Sequence, residues 1–444
     1  MSEVHGPAVE LAGMDAAQGR WALIGVGFLI NLCLGSIYSW SVFVGPLATH
    51  YTALLGREVT ASEVLIPFSV FLACFALTMP LAGRFIDTRG PRAAVALGGL
   101  LTGLGWLSAS VAPSVWMLYL LYGVVGGVGV GIAYGVPVAI ASRWFPDRCG
   151  LAVGVTVAGF GMSALITATV AGYLMETAGV LMTFRIFGVA FAAILLLCAV
   201  PLRFPPDGWQ PPGCEWPAVV AKSGAAGAAG AAGEVGEAGV AGAAGDVGEA
   251  GATGAGLGSM LRSRRFYGLW ICYFIGCCAG LMAISIAKPV GTEVIGITGG
   301  FATLLVAFFA IFNGGGRPVF GSLTDHLHPG RVAVISFLLI GGASLAMWFV
   351  PSVPVYVVSF AVLWGCLGGW LAIAPTATAR YFGTTDYPRM YGVVFLAYGA
   401  GALAGPPFAG LIRTVTGSWI GVFPYVAAMA VVGCLIAVTV LRKE

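Results

Sequence analysis

The chain has 444 residues, of which 59% are hydrophobic and 9% are charged, and its formal net charge is +3. Soluble domains usually carry about 25% charged residues, so this composition excludes a soluble protein and indicates an integral membrane protein. The small positive excess reflects membrane topology, as described below, and does not indicate nucleic-acid binding.

Twelve apolar stretches are long enough to cross a bilayer, which takes about 20 residues in a helix. We therefore predict an all-α membrane protein with twelve transmembrane helices. In chain order the predicted spans are 21–46, 62–84, 93–112, 114–142, 150–175, 181–203, 266–290, 298–322, 331–350, 354–379, 389–412 and 419–441.

The positive charges indicate how these spans are oriented. If the N-terminus is cytoplasmic, most of the 21 lysine and arginine residues fall on the cytoplasmic side. This bias is expected for an even number of spans with both ends inside. We predict a multi-pass protein of the inner (plasma) membrane, with a cytoplasmic N-terminus at 1–20 and a cytoplasmic C-terminus at 442–444.

A long insert separates the sixth and seventh spans. From Gly224 to Gly254 glycine recurs at every third position, but the stretch contains no proline, so a collagen-like triple helix is not expected. Its low apolar bulk predicts a flexible cytoplasmic linker over 205–264. A regulatory or partner-binding role for this linker stays open. The insert divides the chain into an N-terminal bundle, 21–204, and a C-terminal bundle, 265–441.

The two bundles repeat one another. The pattern Pro-x-x-Gly-x-x-x-Asp occurs at 80–87 and again at 318–325, and Phe-Gly at 160–161 matches Tyr-Gly at 398–399. Matches at one constant offset indicate an internal duplication. We therefore expect two pseudo-symmetric six-helix bundles that face each other across a central cavity. Rocking between them would give alternating access to a substrate bound near the middle of the membrane.

The repeated loops contain paired charges. Asp87 closes the second span and is followed by Arg92, and Asp325 closes the eighth span and is followed by Arg331. We predict that these residues act as gating latches, in which each carboxylate pairs with a neighbouring helix terminus as the bundles rock. The alternative is an ordinary solvated ion pair at the membrane interface.

Arg317 is predicted to lie inside the eighth span. It precedes Asp325 by eight residues, or about 12 Å of helix, which places it near mid-depth. A charge there costs about 2.5–3.5 kcal/mol on insertion scales, so it usually faces a cavity or a partner. An arginine in such a cavity is a natural receptor for a carboxylate. The alternative is a structural arginine bound to backbone carbonyls that Pro318 frees. Its repeat mate is Met79, so the charge belongs to one half only.

Four sequence motifs resemble those of a known transporter family. They are Asn-Leu-Cys-Leu-Gly-Ser-Ile-Tyr-Ser-Trp-Ser-Val at 31–42, Gly-Ile-Ala-Tyr-Gly at 131–135, Arg-Trp-Phe-Pro-Asp-Arg-Cys-Gly-Leu-Ala at 143–152 and Phe-Asn-Gly-Gly-Gly-Arg-Pro at 312–318. With the duplicated loops, they resemble the major facilitator superfamily, and within it the oxalate/formate antiporter family, which includes bacterial monocarboxylate transporters. The resemblance covers both halves but not the glycine-rich insert.

The resemblance implies a set of binding residues. Arg317 matches the arginine that binds a substrate carboxylate, and Tyr38 and Tyr134 match aromatic residues that wall the site. The oxalate transporters carry a lysine on the eleventh span where this chain has Tyr398, which puts oxalate in doubt.

Further residues of the predicted site come from the sequence itself. Tyrosine hydroxyls can donate to a carboxylate while their rings pack against its carbon atoms, although intramembrane tyrosines are also common as plain packing. Phe160 and Phe395 are candidate apolar walls, and Asn313, one turn before Arg317, is a candidate to orient it. Lys288 is a candidate accessory cation, and the alternative is an interfacial lysine paired with Glu293.

These residues favour a secondary transporter of a small monocarboxylate such as lactate, pyruvate, formate or acetate, because one arginine neutralises one carboxylate. The alternatives are an oxalate/formate antiporter that handles a dicarboxylate, and a membrane sensor that binds a carboxylate. No Asp, Glu or His is predicted at mid-span, so anion exchange and proton symport both stay open. The ten cysteines form no metal-binding pattern. We predict no cofactor, no metal and no enzymatic activity, and a monomer in the lipid bilayer.

Overall fold

The structure is a computed structural model that describes residues 10–11, 14–145, 147–206, 209, 257–383 and 387–441. Residues 210–256, which include most of the predicted linker, lie outside this part, as do 1–9 and the predicted C-terminal segment 442–444. The described chain is almost entirely helical. Its strands are confined to a hairpin of Glu10–Leu11 and Met14–Asp15.

Helices of membrane-spanning length follow one another through the N-terminal half. Their bounds, with shorter helices included, are Ala16–Leu34 continued by the 3₁₀ segment Gly35–Val42, then Val44–Leu55, Ala61–Ala109, Val115–Leu118, Tyr119–Gly126, Gly127–Ala133, Gly135–Trp144, Cys149–Ala178 and Val180–Ala199.

The C-terminal half has the same organisation. Its helices are Leu257–Met260, Arg264–Pro289 continued by Val290–Val294, then Gly299–His326, Pro329–Phe349, Val353–Phe382, Tyr387–Thr416, Trp419–Gly421, and Val422–Ile436 continued by Ala437–Leu441.

The described residues contain eleven helices that are long and apolar enough to cross a membrane. One of them, Ala61–Ala109, has 49 residues and is interrupted at Gly90, whose φ of 83° breaks the helix. Only glycine adopts such a backbone conformation readily. Counted on either side of this break, the helices are twelve, and the predicted number of spans is confirmed. We number them span 1 to span 12 in chain order. Span 1 is Gln18–Val42, and spans 2 and 3 are the parts of Ala61–Ala109 before and after Gly90. Spans 4 to 12 are Val115–Trp144, Leu151–Ala178, Val180–Ala199, Arg264–Val294, Gly299–Thr324, Pro329–Phe349, Val353–Phe382, Arg389–Thr416 and Trp419–Leu441.

Polar side chains cap the start of several spans. Thr60 and Glu63 form a capping box at span 2, and the hydroxyls of Ser263 and Thr298 accept backbone N–H bonds at spans 7 and 8. These oxygens satisfy donors that the first turn of a helix leaves unpaired.

Because twelve spans return the chain to the side from which it started, both ends lie on one face, which we call the terminal face. The opposite face is the distal face.

Spans 2 and 11 hold the two halves together on one side of the molecule. A Cβ added at Gly410 would lie 2.5 Å from the Cα of Ser62, and one added at Gly399 would lie 2.7 Å from the Cβ of Ala76. Small residues allow such close approach of helix backbones in membranes. The two helices therefore pack from the distal face to the middle of the protein.

Spans 5 and 8 form the equivalent contact on the other side. A Cβ at Gly161 would lie 2.8 Å from the backbone of Gly314, and one at Gly172 would lie 2.9 Å from the side chain of Thr303. Gly161 and Gly399 occupy matching positions in the sequence repeat. The repeat thus places one glycine at each of the two contacts between the halves.

Replacing Gly161 by alanine tests the span 5–span 8 contact. The added methyl group collides with Gly314, and overpacking of this kind costs about 1–3 kcal/mol. We expect Gly161→Ala to lower the thermal unfolding temperature of the purified protein in detergent. Gly154→Ala is the matched control, because a Cβ at Gly154 on the same helix meets nothing within 4 Å. Equal unfolding temperatures for the two variants would contradict this packing.

Candidate functional site

Arg317 lies at the contact between the halves and is only 1% exposed. Its Nη1 atom donates a hydrogen bond of 3.0 Å to the carbonyl of Val157 on span 5. Its guanidinium carbon lies 5.9 Å from the ring centre of Phe160. No carboxylate in the described part of the chain forms an ion pair with it. The charge of a span 8 residue is therefore held against the opposite half.

The remaining donors of Arg317 lack partners in the described part of the chain. Its Nε and Nη2 atoms are buried and have no hydrogen-bond partner among the described residues. These two atoms lie on the same edge of the planar guanidinium, where their N–H bonds match the two oxygens of one carboxylate. The expected structural role accounts for one donor, although the carbonyl belongs to span 5 and not to the proline-containing span 8. It leaves the other edge unexplained.

A pair of tyrosines joins the halves at the same site. The hydroxyl oxygens of Tyr38 on span 1 and Tyr398 on span 11 are 2.9 Å apart, and either can donate. Tyr38 belongs to the tight 3₁₀ segment of span 1. A Cβ at Gly35 in that segment would lie 2.8 Å from the Cα of Phe160, so the small residue brings Tyr38 close to span 5.

Six aromatic side chains pack around these groups and form the central aromatic cluster. Its members are Tyr38, Phe75, Tyr134, Phe160, Phe395 and Tyr398. Phe160 lies 5.1 Å from Tyr38 and 5.3 Å from Tyr134, ring centre to ring centre. The cluster thus brings together all the aromatic residues that the sequence predicted for the site.

Phe75 is the member that sequence reasoning missed. Its ring lies 5.1 Å from Tyr134 in the N-terminal half and 5.7 Å from Phe395 in the C-terminal half. Tyr391, 5.8 Å from Phe395, was missed as well. A phenylalanine in an apolar span carries no signal of its own. The repeat offset of 238 residues could have identified it, because Phe75 matches the candidate Asn313.

The cluster closes the middle of the protein. Tyr38 is 0% exposed and Tyr398 is 1% exposed, and the rings of the two halves are in contact. The sequence predicted a central cavity at this level. In this conformation these aromatic side chains are buried and pack against one another between the halves.

Asn313 is placed differently from the prediction. It is fully buried one turn before Arg317, but its Nδ2 atom donates to the carbonyl of Trp364 on span 10 at 3.1 Å. Span 10 can come this close because Gly368 has no side chain. A Cβ added there would lie 3.3 Å from the Cα of Asn313. In this conformation the Val157 carbonyl holds the guanidinium, and a role of Asn313 in orienting Arg317 stays a prediction.

Comparison with protein families identifies the fold. Residues 26–291 and 269–444 each match the family model of the Major Facilitator Superfamily. The chain belongs to the major facilitator superfamily. This confirms the predicted twelve-span fold, and it makes the chain a secondary transporter.

Relatives of this transporter agree with the family resemblance predicted from its motifs. The oxalate:formate antiporter of Oxalobacter formigenes is 27% identical over 430 residues, which cover 96% of this chain and 92% of that protein. Human monocarboxylate transporter 11 is 25% identical, over 97% of this chain and 85% of that protein. The apicoplast pyruvate carrier 1 of Toxoplasma gondii is 24% identical, over 83% and 79% of the two chains.

A solved structure supports the same fold. The bacterial homologue of the human lysosomal transporter Spinster, in an inward-facing and unoccupied conformation, superposes with a TM-score of 0.66. The two chains are 15% identical, and the match covers 94% of this chain and 95% of the other. At this identity the similarity is one of fold.

The predicted latch residues of this transporter lie on the terminal face. Asp87 pairs with Arg143 at the end of span 4, at 3.3 Å. Arg92 instead donates from Nε to the carbonyl of Leu202, after span 6, at 2.9 Å. Spans 2, 4 and 6 belong to the same half. The Asp87 pair therefore braces the N-terminal bundle and does not itself join the halves in this conformation.

The second predicted latch is less fully described. Arg331 is exposed near the start of span 9. The side chain of Asp325 lies outside the described part of the structure. A gating role for either residue stays a prediction.

Lys288 does not form the ion pair considered for it. It is half-buried near the end of span 7, whereas Glu293 pairs with Arg413 of span 11 at 2.8 Å.

A stronger ion pair on the terminal face was not predicted. Arg20, at the start of span 1, binds Asp147 after span 4 through two hydrogen bonds of 2.6 and 2.9 Å. Its guanidinium also lies 4.4 Å from the ring centre of Phe145. Both charged side chains are largely buried, so this pair is shielded from solvent and salt.

The two ion pairs should differ in their contribution to stability. Removing one partner of a buried bidentate pair leaves an uncompensated charge, and we expect Asp147→Asn to cost about 3 kcal/mol. The Asp87 pair is long and its carboxylate is well exposed, so Asp87→Asn should cost less than about 1 kcal/mol. Thermal unfolding of the two matched variants measures the difference. A larger loss for Asp87→Asn would contradict this ranking.

Proposed function

We propose that this transporter moves a small monocarboxylate across the membrane by alternating access. The observation that carries the proposal is the unpaired Nε–Nη2 edge of Arg317. A buried guanidinium with two parallel donors recognises a planar carboxylate in two-point fashion. The site lies where the two halves meet, which is where transporters of this architecture bind their substrates.

The charge of the site favours a single carboxylate. Among side chains whose burial the structure describes, Arg20 and Arg317 are the buried charged ones, and Arg20 is neutralised by Asp147 on the terminal face. A dianion would keep one uncompensated charge among aromatic rings, which is costly in a medium of low polarity. Lactate, pyruvate, formate and acetate each match one guanidinium and neighbouring hydroxyls.

Tyr38 and Tyr398 supply those hydroxyls. Their mutual hydrogen bond crosses between the halves, so it closes the site from both sides. When the halves separate, each hydroxyl becomes available to a carboxylate oxygen or to the polar group of a hydroxy or keto acid. The rings of Phe160 and Phe395 then face the carbon atoms of the substrate.

The relatives support both the substrate class and its main alternative. Their names include a pyruvate carrier and a monocarboxylate transporter, which support a monocarboxylate, and an oxalate:formate antiporter, which supports a dicarboxylate in exchange for a monocarboxylate. The uncharged Tyr398 argues against the dicarboxylate.

Two modes of coupling are compatible with the site. In anion exchange, the positive charge of Arg317 would resist moving through the membrane without a bound anion. In proton symport, the substrate itself would carry the proton. Acceleration of uptake by an anion on the opposite side favours exchange, and acceleration by an inward proton gradient favours symport.

We place the terminal face in the cytoplasm of a plasma membrane, because most lysine and arginine residues lie on that side. The same distribution makes the distal face the entry side for external substrate. We also propose that the transporter works as a monomer, since each chain contains both halves of the site.

Variants of Arg317 test the proposal. We expect Arg317→Ala to abolish uptake of labelled lactate, pyruvate, formate and acetate into proteoliposomes. Arg317→Lys keeps the charge but loses the two-point geometry, so it should raise KM about 10–100-fold, as expected for a lost charged hydrogen bond. Arg262→Ala, at an exposed site before span 7, is the control and should transport normally. Normal uptake by Arg317→Ala would refute the site.

Variants of Tyr398 test the choice between substrates. Tyr398→Lys adds a second positive charge and should shift competition in favour of oxalate over monocarboxylates by about tenfold or more. Tyr398→Phe removes only the hydroxyl and should keep the monocarboxylate preference. Unchanged relative inhibition by oxalate in Tyr398→Lys would show that this position does not set charge selectivity.

A further inference from the structure

A groove on the terminal face, outside the central site, has the features of a second binding site. It has a volume of about 310 Å³ and lies between the starts of spans 1 and 3 and the end of span 6. Its apolar wall includes Leu23, Val26, Val200 and Pro201, and two arginines, Arg92 and Arg203, also line it. We call it the terminal groove.

The terminal groove lies at the level of the lipid headgroups. All three of its helices reach the terminal face beside it, and Trp21, next to the lining residue Ala22, is 42% exposed. Exposed tryptophans are typical of the boundary between the hydrocarbon core and water. Val200, on the wall of the groove, is 66% exposed and so turns an apolar surface outward.

One hydrogen bond holds the side chain of Arg92 and another holds the backbone of Arg203, and both guanidinium groups keep donors for a ligand. Among the described residues, Arg92 uses only its Nε atom, in the bond to the Leu202 carbonyl. The backbone of Arg203 is held by a 2.8 Å hydrogen bond from the Trp144 indole to its carbonyl. Neither arginine forms an ion pair with a carboxylate in the described part of the chain. Asp147 on the same face is already neutralised by Arg20, so it does not oppose an anion.

We propose that the terminal groove binds one anionic phospholipid from the leaflet at the terminal face. Its phosphate would contact Arg92 and Arg203, and an acyl chain would cover the apolar wall. The combination of basic residues with an apolar groove at headgroup depth fits a lipid better than a water-soluble anion, which would leave the apolar wall exposed. This site is independent of Arg317 and of the transported substrate.

Native mass spectrometry of the full-length protein tests the proposal. The delipidated protein is titrated with phosphatidylglycerol or with phosphatidylcholine, and the first bound lipid is quantified. Each basic residue near an anionic lipid strengthens binding about fivefold, so we expect about a 25-fold preference for phosphatidylglycerol from two arginines. Arg203→Gln should reduce the preference to about fivefold.

Two further variants separate the groove from general surface charge. Ala22→Trp keeps both arginines but fills the groove, and it should weaken binding of phosphatidylglycerol. Arg148→Gln removes an exposed arginine of the same face outside the groove and should leave the preference unchanged. Millimolar inorganic phosphate should not displace the lipid.

Several outcomes would overturn the proposal. The first is an unchanged preference for phosphatidylglycerol in Arg203→Gln, and the second is an equal loss of that preference in Arg148→Gln. The third is unchanged binding of phosphatidylglycerol to Ala22→Trp. The fourth is displacement of the lipid by inorganic phosphate, which would indicate a site for a free anion. Arg203→Gln and Ala22→Trp change half-buried or exposed side chains with no hydrogen bonds to the described residues, so both variants are expected to fold.

Discussion

A buried guanidinium at the contact between two helical bundles is the constraint on which the centre of this protein depends. Arg317 reaches from span 8 to a backbone carbonyl of span 5, so a positive charge is part of the interface that must open and close. One donor is used within the protein, and the Nε–Nη2 edge has no protein partner among the described residues. A charge that is costly to bury and only partly satisfied favours any state in which an anion completes its coordination.

The duplication of the chain explains why this charge can act on both halves. Gly161 and Gly399 occupy matching positions and lie at the two contacts between the halves, so the scaffold is nearly symmetric. The site is not symmetric, because Met79 stands where the repeat would place a second Arg317. A single cation on a nearly symmetric scaffold supports the proposal that the ligand is one carboxylate.

The sequence was sufficient for the spans and for selecting most of the aromatic residues that meet at the centre of the protein. Hydropathy and the repeat predicted twelve spans, because burial in lipid requires long apolar helices whatever their packing. Tyr38, Tyr134, Phe160, Phe395 and Tyr398 were also selected, and the structure brings them together. Motifs and repeats identify such residues because each residue stands at a position that the motif or the repeat makes recognisable.

The contacts that sequence reasoning missed depend on which helix meets which. Phe75 resembles any other phenylalanine of a span until span 2 is placed against span 11. The amide of Asn313 was expected to orient Arg317, but in the structure it donates to the carbonyl of Trp364 on span 10. Gly368 allows span 10 to approach this closely. Each of these depends on helix packing, which local sequence does not encode.

The chemistry of the interface between the halves bears on how it can open. Of the polar contacts described at the centre, two cross between the halves, the Arg317–Val157 bond and the Tyr38–Tyr398 bond. The other contacts there are aromatic rings and glycine-backed helix surfaces, which can separate without leaving buried polar groups unpaired. A carboxylate at Arg317 could replace the lost protein bonds with its own oxygens. The hydrogen bonds formed by the substrate would then offset those lost when the halves separate. Substrate binding would in this way be linked to the movement of the halves.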